Sequence, residues 1–278
     1  MEIENDIVTR IDDIYCNYNE INIPDGITAI GNYAAHNINI SKVVLPNSVT
    51  EIGDAAFCEC QDLEEIILSD SIIKIGSRAF SNCKNLKRIV LPNNLQYLGH
   101  GAFSGCENLE EIILPSSIKE INFRTFANCN KLKKIIIPEG VETICWGAFC
   151  GCDNLEEIVL PNSIKNLENQ IFMSCTNLKK VILPNSIDEL PNDFFRNCSN
   201  LDIELPNNIT KLNNNVFENC VSLTNFPTNV IEFGNNCFRN CKSLKKVVLN
   251  PSVLTLPEGM FYDCVELTDI CSVNKSLT

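Results

Sequence analysis

The 278-residue chain has only two histidines, His36 and His100, with one tryptophan and three methionines. The histidines lie far apart in the sequence, and neither stands in a motif pairing a nucleophile with a base, so the residues of acid–base and nucleophilic catalysis are largely missing. The chain therefore reads as a non-enzyme. Basic residues are also short: Lys and Arg total 22 against 35 Asp and Glu, a formal net charge of −13. Phosphate backbones and anionic lipid surfaces are held by clustered cations, so nucleic acid is not an expected partner. No apolar run approaches the roughly 20 residues that cross a bilayer, which argues against membrane insertion. The opening Met1-Glu-Ile-Glu-Asn-Asp lacks the basic and apolar regions of a secretion signal, and as it stands the chain is expected in the cytoplasm. It carries no Gly-rich phosphate loop, and no cofactor is expected.

What the chain has in abundance is self-similarity. Phe57, Phe80, Phe103, Phe126, Phe149, Phe172 and Phe195 follow one another at 23 residues, and Phe217, Phe238 and Phe261 follow at 22, 21 and 23. Around Phe80 the frame continues through Cys83, Leu86, Ile89, Leu91, Pro92, Leu95, Leu98, Gly99 and Ala102 to Phe103. A fixed period of this length marks a solenoid, in which each turn buries its apolar side only against its neighbours. The expected organisation is an N-terminal cap over 1–22, where Ile3, Ile7, Ile11 and Ile14 interrupt a polar stretch, followed by one continuous solenoid of about 10–11 turns over 23–278. The shortened segments at Asp202-Ile203 and Phe226-Pro227 should disturb the lattice locally.

Each turn divides into parts. Glu111-Ile-Ile-Leu114 is short, β-branched and stopped by Pro115, which predicts a strand. Ser117-Ile-Lys-Glu-Ile121 predicts a second extended stretch, and Gly76 and its equivalents predict a tight reversal. The A-F-x-x-C segment predicts a single helical turn, because it would place Ala79, Phe80 and Cys83 on one inward side.

Sixteen cysteines would suit a disulfide scaffold, yet ten of them, Cys60, Cys83, Cys106, Cys129, Cys152, Cys175, Cys198, Cys220, Cys241 and Cys264, fall one to a turn. Such a column is expected to be a ladder of buried reduced thiols, since identical stacked side chains rarely meet the distance and dihedral of a disulfide. Cys58-x-Cys60, and Cys145 with Cys150-x-Cys152, lack the paired spacings of zinc sites. No metal is expected there, and Cys58 and Cys150 are expected at the surface. Trp146, which replaces a small polar residue, is either a packing residue or an exposed anchor.

The frame A-F-x-x-C-x-x-L-x-x-I-x-L-P-x-S-I-x-x-I-G resembles the BspA-type leucine-rich repeat over roughly Ile23 to Cys271. The resemblance implies an α/β repeat fold, a curved right-handed solenoid with a parallel sheet on one face and short extended segments and single helical turns on the others. It also implies adhesion to matrix or host proteins or to other cells, and hence a cell-surface location. Two features depart from the pattern: no secretion signal or anchor is evident, and the glycine gives way in the middle turns to Asn122, Cys145, Glu168, Pro191 and Asn213.

Two columns on the strand stand out. Glu64-Glu65, Lys87-Arg88, Glu110-Glu111, Lys133-Lys134, Glu156-Glu157 and Lys179-Lys180 alternate in sign from turn to turn. Turns stacked about 5 Å apart would set each pair between two of opposite charge. Between the buried strand positions, Ile67, Val90, Ile113, Ile136, Val159 and Ile182 face outward by strand alternation, which predicts an apolar stripe on the outside of the sheet. These residues, with Lys87, Arg88, Glu110, Glu111, Lys133, Lys134, Glu156 and Glu157, are the candidate partner-binding surface for a protein or peptide. The alternative is a structural role, with self-association through the C-terminal strand Asp269-Ile-Cys-Ser272 into a homo-oligomer.

Overall fold

The computed structural model describes residues 1–12 and 20–272; Ile14 lies outside them. The chain winds as a parallel solenoid whose turns each contribute to three faces. On the first face three-residue strands stack in register, Glu20–Asn22 with Lys42–Val44 and Glu65–Ile67, Glu111–Ile113 with Lys134–Ile136, and Glu157–Val159 with Lys180–Ile182. Their middle residues are buried and their outer ones exposed, as alternation requires. On the second face two-residue strands such as Lys74–Ile75, Tyr97–Leu98 and Glu120–Ile121 place one aliphatic side chain inward.

The third face differs from expectation: the described residues contain no helix. The physical reason is a regular backbone alternation. Arg78 and Asn82 have φ of 56° and 59°, and the equivalent pairs Arg124 with Asn128 and Asn215 with Asn219 do the same. L-residues cannot continue a right-handed helix through left-handed positions. The N–H groups of Ala79, Ser81 and Cys83 instead close tight bonds to the carbonyls of Gly76, Arg78 and Phe80, while those of Arg78, Phe80 and Asn82 donate to His100, Ala102 and Ser104 in the next turn. Every such inter-turn bond on this face runs the same way, N–H toward the following turn. Asn and Gly fill most of the left-handed slots because they tolerate that conformation best.

The core is a set of columns. Phe57, Phe80, Phe103, Phe126, Phe149 and Phe172 are fully buried. Their rings lie nearly parallel, with the Phe103–Phe126 centroids 5.8 Å apart at 3°, an offset-stacked spacing. Beside them runs the thiol ladder, in which Cys106 Sγ donates to Phe80 O at 3.1 Å and Cys129 Sγ to Phe103 O at 3.2 Å. Thus Phe80 O accepts both from Cys83 N within its own turn and from the thiol of the next. Burial pushes these thiols well above their ordinary pKa, so they are neutral hydrogen-bond donors. No disulfide links the described cysteines.

The glycine column also has a different purpose from the one expected. Gly76 and Gly99 do not adopt positive φ; a Cβ on Gly76 would lie 2.6 Å from Asp54 N, and one on Gly99 2.4 Å from Ser77 N. These residues permit close approach of successive turns rather than a reversal. Where the glycine is absent the contact changes, as at Asn122, whose Nδ2 donates to Leu98 O at 2.8 Å.

At the N-terminal end Glu2–Glu4 and Ile7–Arg10 form an antiparallel hairpin, and the second strand of the hairpin continues in parallel into Ala29–Ile30. The first-face ladder is interrupted where the repeat shortens: residues 201–206 and 223–225 form no strand. There Phe226 packs against Phe238, centroids 5.0 Å apart, in place of the usual aliphatic strand residue. Among the described residues no helix is long and apolar enough to cross a membrane.

Candidate protein-binding face

The outward strand column is exposed in all six turns: Val90 is 83% exposed, Ile113 60% and Val159 56%, with Ile67, Ile136 and Ile182 similarly open. The parallel register sets Ile113 directly against Ile136, and Val159 against Ile182. The column is not uniform. At Lys87–Leu91 the strand is lost and pairing to the next turn shrinks to one bridge, Arg88 to Glu111. A groove of about 510 Å³ opens there, lined by Val90, Leu91, Ile113, Leu114 and Pro115 among others. A smaller one, about 180 Å³, lies on the other side, between Ile67 and Val90.

The charged column runs along the edge of this stripe. Lys42 pairs with Glu65 at 3.1 Å, Lys87 with Glu64 at 3.2 Å, and Lys179 with Glu156 at 3.0 Å. The alternation therefore forms ion pairs across turns, and Glu65 raises the Lys42 pKa through its hydrogen bond and charge. At the centre the pairing stops. Lys87, which keeps its pair with Glu64, surrounds with Arg88, Glu110, Glu111, Lys133 and Lys134 a depression of about 380 Å³, and among the described residues no ion pair joins Glu110 or Glu111 to Lys133 or Lys134. Backbone bonds keep these turns in register, Glu110 N to Lys87 O at 3.1 Å and Lys133 N to Glu110 O at 2.9 Å.

Two further groups lie off the sheet. Trp146 is half-buried and stacked on Phe123, centroids 5.0 Å apart at 9°, with the Arg124 guanidinium 4.5 Å above the indole. In most turns this slot holds a small polar residue, such as Asn32 or Asp54, whose side-chain oxygen accepts the N–H of the equivalent residue one turn on. Comparing that slot across turns would have singled out Phe123 as well as Trp146. Cys58, expected at the surface, is buried at 8% exposure, because it points between turns rather than outward; Cys150 is half-buried. Cys145 is buried too, and burial together with the hydrogen bond to Glu120 pushes its thiol up to about 12.

Stacked parallel turns with a leucine, isoleucine and phenylalanine core define a leucine-rich-repeat solenoid. The family model described as BspA type leucine rich repeat region (6 copies) matches residues 14–133, 119–227 and 221–278, and the chain belongs to that family. Among solved structures, a leucine-rich repeat protein from Bacteroides ovatus is 32% identical, with a TM-score of 0.82 over 91% of this chain and 69% of that one. The pneumococcal vaccine antigen PcpA is 25% identical, with a TM-score of 0.65 over 93% of this chain and 69% of that one. A leucine-rich repeat protein from Eubacterium ventriosum, 23% identical with a TM-score of 0.52, covers 94% of this chain and 84% of its own, and shares the fold. No curated protein matches the sequence.

Proposed function

We propose that the chain is a non-catalytic scaffold that binds a protein or peptide through its sheet face, in the manner of an adhesion module. The observation that carries this reading is the exposed column from Ile67 to Ile182, widest open at Val90 and Ile113. Isolated apolar residues are normal on a surface, but six exposed β-branched side chains on consecutive turns line up as a patch of the kind that marks interaction sites. The grooves beside Val90 offer concavities for apolar anchors, and the mixed charges around Glu110 and Lys133 give the rim polar complementarity without a net field. Because the turns are rigidly stacked, a partner would meet a preorganised surface and little ordering would be needed on binding. Membership of the BspA-type family supports display at a cell surface.

The test is partner capture by the folded chain compared with the double variant Ile113→Asp, Ile136→Lys. These side chains point away from the core, so circular dichroism should be unchanged while capture is lost. If the folded double variant still captures the partner, the sheet face is not the site.

Self-association is the second reading, favoured by one observation. Among the described residues the strand Asp269–Ser272 pairs only with Lys246–Leu249, and Ile270 within it and Val265 just before it are exposed. Such an edge is open to another chain. A mass in solution that rises with concentration, and falls to the monomer in Cys271→Pro, would favour assembly over capture.

A further inference from the structure

His36 and Cys58 occupy the same slot of successive turns, following Ala35 and Phe57 respectively, and Glu59 follows Cys58. Backbone bonds hold the two turns in register at this point, Ala35 N to Ala56 O at 2.7 Å and Asn37 N to Cys58 O at 2.8 Å. As a result an imidazole nitrogen, the Cys58 Sγ and a Glu59 carboxylate oxygen all lie within 4.8 Å of one another. The C-x-C spacing of Cys58 and Cys60 is irrelevant to this cluster, because Cys60 belongs to the core ladder and donates to Ala35 O.

A second observation is independent of that distance. Glu59 sits at φ 64°, in the left-handed slot that other turns fill with Asn37, Asn82, Gly105, Asn128, Gly151 and their equivalents. Those residues adopt left-handed backbone readily, whereas a long unbranched carboxylate gains nothing from it. Here the chain departs from the usual Asn or Gly at Glu59, beside Cys58, and brings three different donor types together. The cluster borders a surface depression of about 380 Å³ lined by Cys58, Glu59, Arg78 and Ser81, which gives an ion an entry path.

We propose that His36, Cys58 and Glu59 form a binding site for a zinc-class divalent cation. One thiolate, one imidazole and one carboxylate make a mixed S, N, O set of the kind that holds zinc, with water at the exposed fourth position. A thiolate and a carboxylate neutralise the two charges of the ion, which lets Arg78 remain nearby without a buried charge imbalance. Binding displaces the Cys58 thiol proton to solvent, so uptake releases a proton. The Tyr33 ring lies 5.9 Å from that of His36, tilted at 52°. The ion would tie together two turns near the hairpin end, a role separate from partner binding by the sheet face.

The probe is Co²⁺ added to the reduced full chain, followed by displacement with Zn²⁺. One Co²⁺ per chain should give a thiolate-to-metal charge-transfer band in the near ultraviolet that Zn²⁺ abolishes. The substitutions can be drawn from the repeat itself: Cys58→Ser and Glu59→Asn restore the residues of the next turn, Ser81 and Asn82, so the fold should survive. Cys58→Ser should remove the band, and Glu59→Asn or His36→Ser should weaken binding by at least about tenfold. Cys150→Ser should leave it unchanged. Absence of a thiolate band, its survival in Cys58→Ser, or its loss in Cys150→Ser would overturn the site, and unchanged affinity in both Glu59→Asn and His36→Ser would overturn this set of ligands.

Discussion

Cys83 Sγ donates a hydrogen bond to the main-chain carbonyl of Phe57, one turn back and 3.1 Å away. The thiol therefore serves as a small apolar residue with one directed donor, a combination that Ser would reproduce only by burying a more polar group and Ala would lack. Thiol reagents added to the folded chain should accordingly leave the buried ladder cysteines unlabelled and modify first the half-buried Cys150 and Cys271 and the last ladder residue, Cys264. Mass mapping checks this. Rapid labelling of Cys106 or Cys129 without unfolding would contradict the packing.

The same ladder makes stability dependent on pH in the alkaline range. Burial raises the folded-state pKa of Cys106, Cys129, Cys152 and Cys175 above the unfolded value, which lies near 8.5. Above that pH the unfolded chain loses thiol protons that the folded chain keeps, so the stabilisation present below about pH 8.5 declines as pH rises. Denaturant midpoints at pH 7 and pH 10 should differ in that direction, and a variant with two ladder cysteines replaced by alanine should show a smaller difference.

Phe126 stacks between Phe103 and Phe149, with centroids 5.8 and 5.7 Å away. Truncating it removes a fully buried ring with neighbours on both sides, so Phe126→Ala should lose about 3–5 kcal/mol in chemical denaturation. A loss below about 1 kcal/mol would mean that adjoining turns collapse into the space.

Glycines of two kinds should respond oppositely to substitution. In Gly99→Ala the new methyl meets backbone atoms of the preceding turn, so the variant should lose about 1–3 kcal/mol by overpacking. Gly101 has φ 59° and open space, its nearest neighbour lying 3.6 Å from a built Cβ, and Gly101→Asn should be close to neutral. Thermal or denaturant unfolding of the two variants checks this.

Reversing Lys133 and Lys134 to glutamate would leave three consecutive acidic turns, from Glu110-Glu111 to Glu156-Glu157. Stability should fall, and added salt should recover part of the loss because these groups are exposed. Lys179→Glu, which also breaks the 3.0 Å pair with Glu156, should behave in the same way. Insensitivity to salt in both would count against stacking of the charged column.

The period, the phenylalanine and cysteine columns and the outward isoleucines were legible because each rests on a repeat count and on strand alternation, both independent of fine geometry. The third face was not. The A-F-x-x-C spacing satisfies an inward-facing helical turn and the alternating backbone around Arg78 and Asn82 equally well, and only the Asn or Gly recurring every four residues points to the latter. The burial of Cys58 and the close approach at Gly76 were hidden for a related reason. Both depend on how near one turn lies to the next, a distance that no single repeat encodes. The break at Arg88 has no signature either, since Arg88-Ile-Val-Leu91 reads like its paired neighbours.

In the segments equivalent to Arg78–Asn82 every main-chain bond between turns points N–H toward the next turn, and this gives the molecule a chemical direction. One end of that ladder is a donor end and the other an acceptor end. Among the described residues the N–H groups of Gly259, Phe261 and Asp263 meet no further carbonyl. Two copies brought together there by a two-fold axis would set donors against donors, so this face cannot support a closed symmetric pair. Whatever extends the ladder must arrive with carbonyl oxygens leading, in the same orientation as another turn. A further solenoid turn, of this chain or of another, meets that requirement, whereas a copy approaching head-on does not.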